Sequence, residues 1–336
     1  MFCLRIIRNS LANHSQLIYN YFDYNGGLIM KKRILLLLAF LGIITLAACS
    51  PTKKYDIITT MIPQYSLARE IAGDKLSVHL ITKPGVDVHS SELSSKDVIT
   101  INNSKLLLYT SDIIDTQISR LTIKGPIVID LSSHILDEHE QNHSDEHDHD
   151  HDHDHASIHY WTSYHNLEHM ASVIYENIIK IDSENKTYYE ENLNLVLEKL
   201  SKLEDELSEI VSLSSTKEIF YAGHNAMDAL ANEMGITITA LVDDIKPNAD
   251  VTSPQIQNLI KKIKENNAKY LFVPELESLR VVETIKRALK NENIELEILE
   301  LHGLHNISKE QFDKGISIFD ILNQNNINLE KGLKND

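Results

Sequence analysis

The sequence predicts an α/β fold of two similar lobes, each built on a parallel or mixed sheet, joined by one long α-helix. Three observations carry that prediction. Short runs rich in Ile, Val and Leu alternate with helical stretches, twice over, along a chain of 336 residues. Between the two series lies an amphipathic stretch that no Gly or Pro interrupts. A chain of this length also sits at the upper edge of what one core supports, so two lobes are expected.

Residues 55–182 are the expected N-terminal lobe. Tyr55–Met61, Leu76–Thr82, Lys105–Thr110 and Ile127–Leu131 read as strands, and Gln64–Gly73, Lys96–Asn103 and Asp112–Leu121 as helices. Within this lobe the run 137–155 is too poor in apolar residues to bury a core and is expected to be mobile. Residues 183–213 are the expected linking helix. Leu193, Val196, Leu197, Leu200, Leu203, Leu207, Ile210 and Val211 form a stripe at three- and four-residue spacing. At about 1.5 Å per residue it reaches about 45 Å, enough to cross both lobes. Residues 214–336 are the expected C-terminal lobe. Its strands are Glu218–Ala222, Ile236–Val242, Lys269–Val273 and Ile294–Leu301; its helices are Asn225–Met234, Ser253–Asn267, Ser278–Asn291 and Ser308–Asn326.

The first 54 residues read as an address. Met30-Lys31-Lys32-Arg33 precedes the apolar run Ile34–Leu46, a basic region followed by a hydrophobic segment too short to span a bilayer comfortably. It ends in Leu46-Ala47-Ala48-Cys49, which resembles the bacterial lipobox. The expectation is a signal peptide at 30–48, lipidation of Cys49, and a short tether at 49–54 that holds the protein on the extracytoplasmic face of the cell membrane. Residues 1–29 do not fit a signal. Asn25-Gly26-Gly27 stands where a ribosome-binding purine tract could be encoded, so Met30 is the expected start and 1–29 an untranslated extension.

Composition narrows the function. With 49 Asp+Glu against 32 Lys+Arg the net charge is −17, which argues against nucleic acid as a partner. Two cysteines exclude a disulfide scaffold and a Cys-rich zinc fold. The 17 histidines are the anomaly, and nine of them lie between His134 and His159. Open α/β sheets bind ligands in the loops beyond the carboxyl ends of their strands. His89 lies in such a loop, His224 follows the strand Glu218–Ala222, and His302 and His305 follow the last strand. His159 closes the polar run and precedes a helix. One imidazole from each position makes a four-ligand site, two per lobe, suited to Zn²⁺. Other histidines have plainer roles: His79 on a sheet face, His165 and His169 on a solvated helix face. Trp161 is expected to be a packing anchor.

In Pro84-Gly85-x3-His89-x2-Glu92, His159-x-Trp161, the strand-end His224, the His-rich run before His159, the lipobox and the linking helix, the chain resembles a known family. It is similar, over about Tyr55 to Leu333, to the solute-binding lipoproteins of bacterial ABC importers for zinc and manganese, the zinc branch in particular. The resemblance implies two α/β lobes bridged by a helix, with metal held between them by His89, His159 and His224, and Glu92 bracing the site. Three departures stand out. Ser157-Ile158 replaces the family's Asp-Pro, Leu93-Ser94-Ser95 replaces its prolines, and its usual fourth ligand, an Asp, is absent from Glu300-Leu301-His302-Gly303-Leu304-His305-Asn306. His305 is the first candidate there and His302 the second. Glu300 is third, because strand alternation turns it away.

Imidazoles favour Zn²⁺ over Mn²⁺, which prefers carboxylates. The resemblance implies a monomer that passes zinc to a membrane permease and its ATPase. The run Asp145–His155 is read as a collector that raises local metal concentration. Manganese or another divalent cation is the alternative cargo. An extracellular zinc enzyme or an adhesin is a more distant alternative; the chain has no His-Glu-x-x-His, Gly-x-Ser-x-Gly or Walker motif.

Overall fold

A computed structural model describes residues 54–86, 91–135, 157–242, 251–276 and 279–334. In chain order the elements are β1 (Ile57–Thr59), α1 (Ile62–Ala72), β2 (Val78–Leu80), α2 (Ser95–Asn102), β3 (Leu106–Tyr109), α3 (Thr116–Ser119), β4 (Ile127–Asp130) and α4 (Ser132–Ile135). After a short 3₁₀ turn at Tyr160–Thr162 come α5 (Tyr164–Ile181), α6 (Lys186–Leu213), β5 (Glu218–His224), α7 (Asp228–Met234), β6 (Thr237–Val242) and α8 (Ser253–Glu265). The chain continues through β7 (Tyr270–Val273), α9 (Leu279–Lys290), β8 (Glu297–Glu300), α10 (Lys309–Asp313) and α11 (Ile318–Lys334).

The strands form two four-stranded sheets with the same order, β2-β1-β3-β4 and β6-β5-β7-β8. Every pairing is parallel. In the first, Ile57 stands beside both Val78 and Leu106. Parallel strands need helical crossovers, and these cover the sheet faces and leave the strands buried. Leu106, Leu107 and Leu108 are accordingly fully buried.

The linking helix is α6, about 42 Å long at 28 residues. Tyr189, Leu193, Val196, Leu200, Leu203, Leu207 and Val211 are its buried stripe, and Leu197 and Ile210 pack at the margin. The stripe belongs to one continuous apolar cluster that runs from Ile57 and Leu67 in the first lobe to Phe272 and Leu329 in the second. The lobes are therefore stapled to one core. α11 lies along α6, with Asn326 donating from Nδ2 to Leu203 O at 2.8 Å and accepting at Oδ1 from Tyr164 Oη at 2.8 Å.

Two expected helices differ. Asp112–Leu121 forms only the four-residue α3. Asp115 turns inward to accept from Thr110 N at 2.6 Å and Thr60 Oγ1 at 3.0 Å, and that side-chain bond competes with the helical ladder. Ser308–Asn326 is split into α10 and α11. Gly315 breaks it in the left-handed region at φ 73°, and Ser317 with Asp320 caps the restart.

Candidate metal centre

Three of the expected histidines meet at the carboxyl ends of the strands. His159, His224 and His305 each offer a ring nitrogen within 4.8 Å of the other two. Their ring centroids form a nearly equilateral triangle, 5.3, 5.5 and 5.5 Å on a side. Nitrogens bound at about 2.0–2.1 Å around a tetrahedral ion sit about 3.3 Å apart, so closing the trio takes no more than about 1.5 Å.

Each imidazole is placed by a different local device. β5 runs two residues beyond the sequence expectation, and a bulge between Tyr221 and His224 re-aims the latter. Gly223 permits this: a Cβ there would lie 2.8 Å from Pro274 Cγ. His159, only 1% exposed, precedes the 3₁₀ turn whose Thr162 N donates to its carbonyl at 3.0 Å. Its own N–H donates to Ser157 Oγ at 3.0 Å, and Ser157 donates to Asp228 Oδ1 at 2.6 Å in the other lobe. The Ser157 that departs from the family's Asp-Pro thus ties the His159 segment to α7.

His305 follows β8 on a loop held from three sides. Asn325 brackets His302, accepting from its N–H and donating to its carbonyl, both at 2.9 Å. Trp161 Nε1 donates to Gly303 O at 3.0 Å. Asn306 Nδ2 donates to Lys83 O at 2.9 Å and to Val86 O, on the opposite lobe. Trp161 is the packing anchor expected, fully buried, and its ring also stands edge-on to His159 and His305 at 5.4 and 5.6 Å.

His302 is not one of the trio. Its Nδ1 accepts from Leu304 N at 2.9 Å, so a neutral ring carries its proton on Nε2, a buried nitrogen with no hydrogen-bond partner. Glu300, at the end of β8, is exposed, as alternation implies. Glu92 is exposed, and so is His165; His79 stacks on Tyr55 with centroids 4.1 Å apart. His89, Cys49 and the whole run 137–155 lie outside the described residues.

A search of the sequence confined to histidines passes over Glu275, just beyond β7. Its side chain is 7% exposed, with Oε1 accepting from His305 N at 2.9 Å and lying 3.2 Å from His305 Nδ1. Oε2 accepts from Gly303 N at 2.7 Å. Burial pushes the carboxyl up, but the charge of the His302 and His305 rings when protonated, together with the His305 and Gly303 hydrogen bonds, outweighs it and holds Glu275 well below the usual carboxylate range. The signal was positional: Glu275 stands at a strand's carboxyl end, as the ligands do.

The arrangement suits a borderline-soft divalent cation held by neutral nitrogens. The family described as zinc-uptake complex component A, periplasmic, matches residues 57–332. The high-affinity zinc uptake system protein ZnuA of Bacillus subtilis is 29% identical over 289 residues, covering 83% of this chain and 88% of that protein. The zinc-binding lipoprotein AdcA of Streptococcus pneumoniae is 26% identical over 310 residues, covering 88% of this chain, which spans 60% of its length. Among solved structures, the metal-dependent lipoprotein YcdH of Bacillus subtilis superposes with a TM-score of 0.68 at 26% identity, over 84% of this chain and all of that one. Two parallel sheets, a bridging helix and imidazoles gathered at the strand ends thus agree with a match over most of the sequence, and the chain belongs to the family of periplasmic component A proteins of zinc-uptake complexes.

Proposed function

We propose that this protein captures Zn²⁺ outside the cytoplasm and delivers it to the permease of an ABC importer. The observation that carries the reading is the convergence of His159, His224 and His305. His89, from the loop after β2, is the fourth ligand that closes a tetrahedral shell. Neutral imidazoles throughout favour Zn²⁺ over Mn²⁺. Lipidation at Cys49 tethers the protein, as a monomer, to the outer face of the membrane, and the run Asp145–His155 gathers metal near the site. The N-terminal lobe at 55–182 and the C-terminal lobe at 214–336 flank the cargo, with 183–213 between them. The work is capture and release without covalent chemistry. A core continuous through α6 supports a small tilt of the lobes on release, not a wide hinge.

Isothermal titration tests this. In a chain lacking 143–155, His224→Ala or His89→Ala should weaken zinc binding by more than the roughly 10–100-fold typical of residues behind the ligands. Undiminished affinity in His224→Ala overturns the site, and undiminished affinity in His89→Ala removes the fourth ligand.

A further inference from the structure

An imidazole binds a cation only through the nitrogen that carries a lone pair. The loop after β8 holds two histidines three positions apart, and their hydrogen bonds sort them. His302 Nδ1 takes the Leu304 amide hydrogen, which leaves the proton of a neutral ring on Nε2. His305 faces the opposite partner. Its Nδ1 is 3.2 Å from Glu275 Oε1, and both oxygens of that carboxylate already accept backbone amides, Oε1 from His305 and Oε2 from Gly303, so Glu275 faces the ring as an acceptor. Nδ1 of His305 must therefore be the donor, and Nε2 is left with its lone pair. The ring angle is set as well: Gly303 lies under it, and a Cβ there would stand 2.8 Å from both Cε1 and Nδ1 of His305.

We propose that Glu275 is the positioning residue of this metal centre. Its buried carboxylate selects the Nδ1–H tautomer of His305, fixes the ring over Gly303, and places a negative charge directly behind a neutral ligand. This rests on His305 being a ligand. Carboxylates placed behind ligating histidines in this way raise ligand basicity and orient the ring.

The test combines nitrogen-15 spectroscopy of the imidazoles with zinc titration. In the metal-free protein, His305 should be the Nδ1–H tautomer and His302 the Nε2–H tautomer. Glu275→Gln should shift His305 toward a tautomer mixture and lower zinc affinity by about 10–100-fold. In a His305→Ala background the same substitution should cost little more. An Nε2–H His305 in the unsubstituted protein overturns the proposal, and so does a Glu275→Gln protein with unchanged tautomer and affinity. Should Glu275→Gln fail to fold, Gly303→Ala keeps the carboxylate while displacing the ring. It should weaken zinc binding, and unchanged binding overturns the proposal. The parent reading fails differently: His305→Ala would then bind zinc as well as the unsubstituted protein, whatever the tautomer.

Discussion

The two sheets have one strand order, and among the described residues their carboxyl ends carry different chemistry. On the C-terminal sheet these ends carry His224, Glu275 and His305, groups that can hold or orient a cation. On the N-terminal sheet, among the described residues, they carry a closed polar network of Thr60, Gln64, Thr110 and Asp115, all at most 3% exposed. Gln64 donates to Thr110 Oγ1 at 2.8 Å, and Asp115 accepts from Thr60 and from the Thr110 amide. This network supplies none of the three clustered imidazoles. It supplies a seat: Tyr160 Oη donates to Thr110 O at 2.8 Å, which holds the turn on which His159 stands. A shared topology thus sets where a site can form, and the side chains at each strand end decide what it does.

That division can be broken at several points. The largest effect on stability is expected where the rims share a foundation. Leu200 is fully buried in the α6 stripe, and Leu200→Ala should destabilise the protein by about 2–5 kcal/mol. Because the core is continuous, probes in either lobe should report one shifted urea transition. Two separate transitions would mean that the lobes are energetically independent.

Next comes Asp115, whose burial raises its carboxyl to about 6 from an ordinary 3.8. The folded state is then penalised for ionising it. The relative stability that the protonated group contributes is full below about pH 3.8 and is lost as pH rises through 6. That gap corresponds to about 3 kcal/mol. Asp115→Asn should gain on the unsubstituted protein by roughly that amount between pH 4 and pH 7, while zinc affinity at pH 7 stays within a few-fold. Parallel stability curves would sink the charge argument. A large loss of affinity would show that the seat and the ligands are not separable.

The smallest effect is expected where the rims touch. Asn306, the residue after His305, donates to two carbonyls of the 83–86 segment, and Gly85 N donates to Ile307 O at 2.8 Å. Asn306→Ala removes two of these three bonds, at a cost of about 1–2 kcal/mol. Amide exchange should accelerate at Val86 and its neighbours. Unchanged exchange would place the coupling between the rims elsewhere, with Trp161 and Gly303 O the next candidates.

Much of this was legible along the chain. The stripe from Leu193 to Val211 announced α6, because burying one face of a helix leaves a three- and four-residue period in the sequence. His224 was legible because the apolar run before it ends in Gly223, at the point where an α/β sheet binds ligands. The choice between His302 and His305 was not. It depends on Asn325, 23 residues further on, and on Glu275, 30 residues earlier, and no local pattern links those positions. Asp112–Leu121 misled for a related reason: Asp115 left the helix to bond Thr60, 55 residues away.

From the order of residues alone come the alternation of strand and helix, the long bridging stripe, and imidazoles at strand ends. Each follows from properties that repeat or punctuate locally: apolar periodicity, glycine breaks, ligand-type side chains. What required the folded chain was the selection among them: which histidine joins the trio, which ring nitrogen faces which hydrogen-bond partner, and which strand ends build the seat under His159. Those outcomes rest on hydrogen bonds and close approaches between residues distant in sequence, whose strength depends on burial and on fractions of an ångström.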